Sequence, residues 1–484
     1  MPAPGGPRWW VIVYLLVSLP SMLFLALWMP LNEAPDEWTG IVRADSLRRG
    51  QIFGERVPGV DALGRPAPQA GIRADWALLT AAFVFPPNLK VTDRVISSEI
   101  LARQRAIPWQ GHTTLMMVAN TAPYMPLLYA PGAIGLAVGE AIGLGPYEAI
   151  RLGRILMGLG CLSLGVAALW LAPFGHALLM VALALPMSLS LGASFNMDGM
   201  LVAAAALAAG CLMRARGGSR PALWVATLAL ALVIAAKPPY APLAALILCT
   251  GSASFRLARL PAFVVLAVLP GLAWLVVVTS QVATDFVVAE PYAPGPLWNG
   301  AVGTQFTTIA RDAQAAILLR HPWLIVSLPW ATLRLEGGEL FRQMIGVLAQ
   351  LSLPLPGWVY RMWELLLPLV CVSATVTWQQ EKHSPISGGG VSVLIACAGI
   401  LATIAAVVLS QYVSWTHVGA ETVAGVQGRY FLPILAFLTL GLPRLTLRQP
   451  ILNAVRMTAQ AAVAIGVVAN LVILPSLVLA TYYR

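Results

Sequence analysis

Apolar residues run almost unbroken from Trp9 to Pro30 and stop at Asn32-Glu33-Ala34-Pro35-Asp36-Glu37-Trp38. About twenty apolar residues in a helix cross the hydrocarbon core of a bilayer. The pattern therefore predicts a first crossing that ends in three carboxylates. Arg8 precedes it and no small-x-small cleavage site follows, so it reads as a retained helix and not a signal peptide. Ten more apolar runs follow: Leu152 to Leu171, His176 to Leu191, Met197 to Met213, Ala222 to Ala236, Pro239 to Cys249, Pro261 to Thr279, Trp363 to Val376, Val391 to Leu409, Tyr430 to Leu442 and Ile451 to Ala480. Some are short for a full crossing, which a bundle tolerates where a helix is broken and packed inside. The expected fold is an all-α polytopic transmembrane bundle of about eleven crossings, within a range of 10–14.

The run Ala122 to Leu144 decides the topology. It is apolar but holds Pro123, Pro126 and Pro131 and ends at Gly-Pro. A full crossing there would put Arg214, Arg216 and Arg220 on the side of the acidic loop, against the positive-inside rule. A bent or re-entrant element at the outer surface removes the conflict. Arg8, the Arg214 to Arg220 cluster, Arg256 with Arg259, Lys382, and Arg444 with Arg448 then share the cytoplasmic side. Two long outer segments result, about 31–150 and 280–361. The first carries amphipathic stretches, near Trp76 to Phe85 and Val95 to Ile107, suited to the interface. The chain divides into a module 1–279, the second loop region 280–361 and C-terminal helices 362–484.

Composition agrees with this reading. Hydrophobic residues make up 58% of the 484 and charged residues 10%, with a mean hydropathy of +0.78, against about 25% charged in a soluble domain. The net charge of +10 comes from arginine almost alone, since the lysines are only Lys90, Lys237 and Lys382. Cations spread between apolar runs orient a membrane protein and do not suggest nucleic acid as a partner. The five cysteines lie singly in apolar segments, which argues against a disulfide framework or a zinc site. No phosphate-loop or dinucleotide fingerprint is present.

Under this topology several polar residues gather at outer helix ends, where an ionisable group close to hydrocarbon suggests a site. Asp36 and Glu37 follow the stiff Pro35, and a carboxylate there can accept a hydroxyl proton as a general base; a solvated helix exit is the simpler reading. Arg151 and Arg154 share a helix face at i and i+3, able to grip a phosphate, satisfy a first-loop carboxylate or merely snorkel. Ser194, Asn196 and Asp198 fill a tight turn, where capping competes with a role for Asp198 toward an acceptor. Lys237 precedes Pro238-Pro239-Tyr240, a proline-broken element of the kind that lines cavities. Gly425-Val-Gln427-Gly-Arg429-Tyr430-Phe-Leu-Pro433 opens a late helix whose N-terminus and arginine favour an anion, with Gln427 and Tyr430 in support. His417 lies in the preceding outer loop near Arg429, a candidate contact for substrate, although the histidines show no metal-ligand spacing.

These landmarks, from Pro35-Asp36-Glu37 with Arg43-Ala44 and Gly50, through Tyr124-x-Pro126-Leu-Leu-Tyr129, Arg151-Leu-Gly-Arg154, Asp198 and Lys237, to Gly425–Pro433, resemble those of a bacterial polytopic membrane family that looks like a branch of the GT-C glycosyltransferases. The late Gly-Val-Gln-Gly-Arg-Tyr segment is the most specific part. One departure stands out: the family pattern has a histidine three residues after Pro-Asp-Glu, where this chain has Gly40. The resemblance implies an enzyme of the bacterial inner membrane, with its active site facing the periplasm. It would transfer a sugar, with inversion, from a polyprenyl-phosphate donor in the lipid bilayer to a glycan, lipid or protein acceptor. Asp36 matches the first-loop base, Glu37 orients an arginine or substitutes for Asp36, and Arg429, Lys237, Arg151 and Arg154 face the donor phosphate. No cofactor is implied, and a divalent metal is optional because cations can neutralise the leaving group. The competing reading is a flippase for lipid-linked saccharides, although transporters place their charges near the midplane of repeated halves.

Overall fold

The fold is a computed structural model that describes residues 6–86, 89–250, 259–292, 303–378, 390–442, 445–447 and 449–484. Arg256, Lys382, Arg444 and Arg448, assigned above to the cytoplasmic side, lie outside the described residues. The chain is mostly helical. Among the described residues six helices are long and apolar enough to cross a membrane: Pro7–Trp28 (α1), Pro146–Leu171, Met197–Arg216, Leu260–Gln281, Gly390–Ser414 and Asn453–Tyr482. A bent pair, Arg311–Arg320 with Leu324–Gly346, makes a seventh if it is one broken span.

Three of the five expected runs missing from these helices share a physical cause. Proline removes a backbone donor and crowds the preceding turn, and several of the runs contain it. His176 to Leu191 is split at Pro186 into two short helices, Pro239 to Cys249 is a 3₁₀ element over Pro238–Thr250, and Tyr430 to Leu442 is a chain of short turns. All three are largely buried among other helices, where irregular backbone avoids lipid. The Ala122 to Leu144 run yields a 3₁₀ turn and the helix Ala130–Ala141. Twelve helical residues span roughly 18 Å, too little for a core of about 30 Å.

The helix Met197–Arg216 is the axis of the bundle, with 89% of its apolar window buried, while Leu260–Gln281 has 17% buried and shows Val265, Leu269, Leu272 and Val276 outward. Lipid is the solvent such a face requires. Exposed Trp170 and Trp224 at one end of the bundle and Trp28 and Trp358 at the other mark two belts. Arg8, Arg214, Arg216, Arg220 and Arg259 lie at the first end, opposite the acidic loop.

The all-α expectation needs correction. The first long loop contains a three-stranded antiparallel sheet, Glu55–Val60, Pro66–Ala74 and Thr114–Met117, in register Val60↔Pro66 and Gly71↔Met117. Alternate burial along Glu55–Val60 is the period-2 pattern of a half-buried strand, and the hairpin turns on Gly64 at φ +75. Helices Trp76–Ala82 and Ser98–Arg105 match the two amphipathic stretches. The second loop carries a further hairpin, Phe286–Tyr292 with Gly303–Ile309, and the 23-residue helix Leu324–Gly346. That helix packs against Gly428, where an added Cβ would lie 2.0 Å from the Leu340 carbonyl oxygen. One continuous apolar core joins residues from all three segments of the chain.

Candidate functional site

The site forms where α1 ends. The chain turns through Asn32 (φ 64) and Asp36 (φ 54), both left-handed, and starts the helix Glu37–Arg48 (α2). Asx side chains tolerate this conformation better than other L residues. The turn rests on a second one: the Asn196 amide donates to the Pro35 carbonyl at 2.6 Å and its side-chain oxygen caps the central helix through Asp198 N–H at 2.7 Å. Gly40 allows this closeness, since a Cβ there would lie 2.0 Å from the Phe195 carbonyl oxygen. The histidine of the family pattern has no room at this position as the backbones stand.

Asp36 keeps about half its side chain exposed and pairs with Arg429 Nη2, which is 1% exposed. Arg429 Nε sits 3.3 Å from Asp198 Oδ2, and Asp198 Oδ1 sits 2.6 Å from Lys237 Nζ. Two carboxylates and two cations thus alternate in a chain of zero net charge, with Asp36 at the wet end. Tyr430 presents its ring to both cations, 4.4 Å from Lys237 Nζ and 5.3 Å from the Arg429 guanidinium carbon. Tyr240 donates to the Tyr430 carbonyl at 2.8 Å. Arg429 Nη1 is buried without a hydrogen-bond partner among the described residues. Orphaned buried donors are rare, and an unfilled ligand position is one physical reason for them.

Glu37, the next residue, points the other way. It is fully buried and takes Arg154 in a bidentate pair at 2.7 and 2.6 Å. Arg154 also donates to the carbonyls of Met29 (2.5 Å) and Pro30 (2.9 Å), so it closes the C-terminal end of α1, whose last carbonyls lack helical partners. Glu37 accepts from Asn32 N–H at 2.8 Å and Phe195 N–H at 3.4 Å. Of the options read from the sequence, orienting an arginine fits Glu37 and satisfying a first-loop carboxylate fits Arg154. Neither group is free for substrate.

Other expected members lie elsewhere. Arg151 pairs with Glu148 at 2.7 Å and donates to the Leu27 carbonyl at 3.1 Å, away from Arg429. His417 is exposed, and its carbonyl accepts from Gln314 at 2.9 Å. Gln427 precedes the Gly428–Phe431 turn, its carbonyl bonded to Tyr430 N–H at 3.0 Å and its buried side-chain oxygen without a hydrogen-bond partner among the described residues. Sequence reasoning gave no role to Arg43, which is fully buried and donates to the Tyr124 carbonyl at 2.8 and 3.1 Å and the Ile52 carbonyl at 2.5 Å. Its position seven residues after Asp36 on one helix is the signal that was available. Tyr124 itself is partly buried beside the site; desolvation raises its phenol well above the ordinary value, and Tyr430 and Asp36 add to this.

A family model described as "Predicted membrane protein (DUF2142)" matches residues 19–438. The chain belongs to that family. The match takes in the acidic turn, the central helix, Lys237 and the Arg429 turn. No curated protein and no solved structure matches it. Among the described residues no three His, Cys, Asp or Glu side chains are grouped to hold a metal ion, and Asp36 and Asp198 both face cations. The residues present therefore do not fit a metal, and no step is routed through one.

Proposed function

We propose that the chain is an inverting glycosyltransferase, taking a sugar from a polyprenyl-phosphate donor to a hydroxyl acceptor at the loop-bearing face of the membrane. The observation that carries this reading is the half-exposed, left-handed Asp36 joined to buried Arg429, whose Nη1 has no hydrogen-bond partner among the described residues. A carboxylate held at the water edge of an apolar bundle is placed to take a proton, and a buried guanidinium with an open donor is placed to take a phosphate oxygen.

In this mechanism the acceptor oxygen attacks the anomeric carbon while the bond from that carbon to the phosphate oxygen breaks. The acceptor proton goes to Asp36, and the departing lipid phosphate gains one negative charge. Protonation of Asp36 removes the counter-charge of Arg429 at the moment the phosphate needs one. The positive charge is already in place, so little reorganisation is required. Lys237 and Asp198 hold the rest of the network neutral and fix the Arg429 plane. The bilayer delivers the donor, and the arginines at the opposite end of the bundle set the loop face outward.

The test is transfer by the detergent-purified full-length chain, with labelled polyprenyl-phosphate sugars and an envelope-glycan extract. Wild type moves label to acceptor and Asp36→Asn does not. Donors that bind but never release sugar, together with donor translocation in liposomes, would replace this reading with a lipid carrier.

A further inference from the structure

A second feature of the acidic turn is absorbed by none of the chemistry above. Beside Asn32 and Glu33 lies a cavity of about 220 Å³, lined among others by Trp38, Phe83, Arg94 and Gln350. Arg429, Lys237 and Asp198 do not line it. Ligand pockets commonly hold about 300–1,000 Å³, so this one suits a single ring and not a string of them.

Its walls define the ring's chemistry. Glu33 is held by Arg94 Nη1 at 2.6 Å and by the Tyr482 hydroxyl at 2.7 Å, so its charge is matched inside the protein and no cation is left for an anion. A charged occupant would lack a counter-ion. The Gln350 side chain is exposed at the pocket's edge and, among the described residues, spends only its amide, donated to the Asn32 carbonyl at 2.6 Å. A purely apolar occupant would cover its oxygen and leave that acceptor unsatisfied. Trp38 and Phe83 face each other across 6.2 Å at 49°, offering an aromatic surface to the C–H face of a ring. A neutral ring with several hydroxyl groups satisfies all three conditions.

The backbone supports the assignment independently. Ala349, Gln350 and Leu351 stand at φ 51, 55 and 63, three consecutive non-glycine residues in the left-handed region. Gln350 N–H donates to the Glu33 carbonyl at 3.0 Å, so this strained turn clamps the turn that holds Asn32, itself at φ 64. Strain of this kind persists only where surroundings enforce it, and it collects at ligand clamps.

We infer that this pocket binds the hydroxyl-bearing sugar ring of the acceptor, an inference that rests on the glycosyltransferase reading. Asn32 and Trp38 flank Asp36 in the same turn. Asp36 does not itself line the pocket, so a ring seated there is held by the turn that carries the proposed base and lies apart from the cations that would hold the donor phosphate.

The test is saturation-transfer NMR on the full-length chain in detergent, with the methyl glycosides of glucose, galactose, mannose, rhamnose and arabinofuranose as probes. At least one binds wild type. Its affinity falls by about tenfold or more in Trp38→Ala and in Gln350→Gly. Glycine suits the left-handed backbone at 350, so Gln350→Gly removes the side chain without opposing the fold, and unchanged melting checks this. No binding to wild type, or equal binding by the folded variants, overturns the inference. Displacement of the glycoside by a polyprenyl-phosphate sugar but not by bare polyprenyl phosphate assigns the pocket to the donor's sugar and overturns the acceptor assignment. The two readings fail separately. Active variants with an unchanged acceptor KM remove the pocket and keep the transferase, whereas glycoside binding lost in both variants, without any transfer by wild type, keeps a sugar pocket and removes the transferase.

Discussion

Asp36 and Glu37 are neighbours in the chain, and their carboxylates have opposite fates. Glu37 turns into the bundle, where Arg154 meets both its oxygens out of reach of solvent; Asp36 turns to the surface, where one oxygen meets Arg429 and half of the side chain stays exposed. A buried bidentate pair resists change because removing one partner strands the other's charge. The carboxylate of Asp36 stays open to solvent on one side. The first pair holds the turn in place, and the second leaves one carboxylate reachable from outside.

The largest expected effect follows from the sealed pair. Glu37→Gln or Arg154→Met alone destabilises the protein by about 3–5 kcal/mol, read as lost yield and a lowered melting temperature in detergent. A normal melt for either would break the contrast. Next comes Asp36→Asn, which keeps the left-handed turn, melts like wild type and loses about 10²- to 10⁴-fold in transfer rate. Unfolding of this variant would make Asp36 as structural as its neighbour. Gly40→His, which restores the residue of the family pattern, forces α2 away from the Phe195 carbonyl and costs about 1–3 kcal/mol; undiminished stability would show that the two turns can separate.

The smallest effect concerns Glu33. Burial raises its carboxyl above the ordinary 4.5, outweighing the Tyr482 hydrogen bond and the Arg94 charge. A raised value means that the folded state binds the proton more readily than the unfolded chain. The stability contributed by this group is therefore full below about pH 4.5 and declines as pH rises through the folded value. Melting of wild type measured against Glu33→Gln will show that decline, and a difference that grows with pH would reverse the assignment.

The first crossing was legible because about twenty consecutive apolar residues match the thickness of a bilayer core. That Asp36, Arg429, Lys237 and Asp198 need partners was legible for a related reason, since ionisable groups beside apolar runs are costly when unpaired. The separation of Asp36 from Glu37 was not. Both follow Pro35, and only the left-handed backbone at 36 and the distant Arg154 send them apart. Arg151 and Arg154 looked equivalent at i and i+3, yet one meets Glu148 near the surface and the other closes α1 in the core. The first-loop sheet escaped notice because strands of four to nine residues carry little periodic signal.

Hydropathy along the chain thus determined that this is a membrane protein, which segments are apolar enough for its helices, and which few charges need partners, because the cost of placing a group in hydrocarbon depends on the group itself. Which charge meets which was decided only in three dimensions. Asp36 and Arg429 are 393 residues apart, and Asn32 and Gln350 are 318 apart. Pairing acts over a few ångströms between side chains that only the packed bundle brings together.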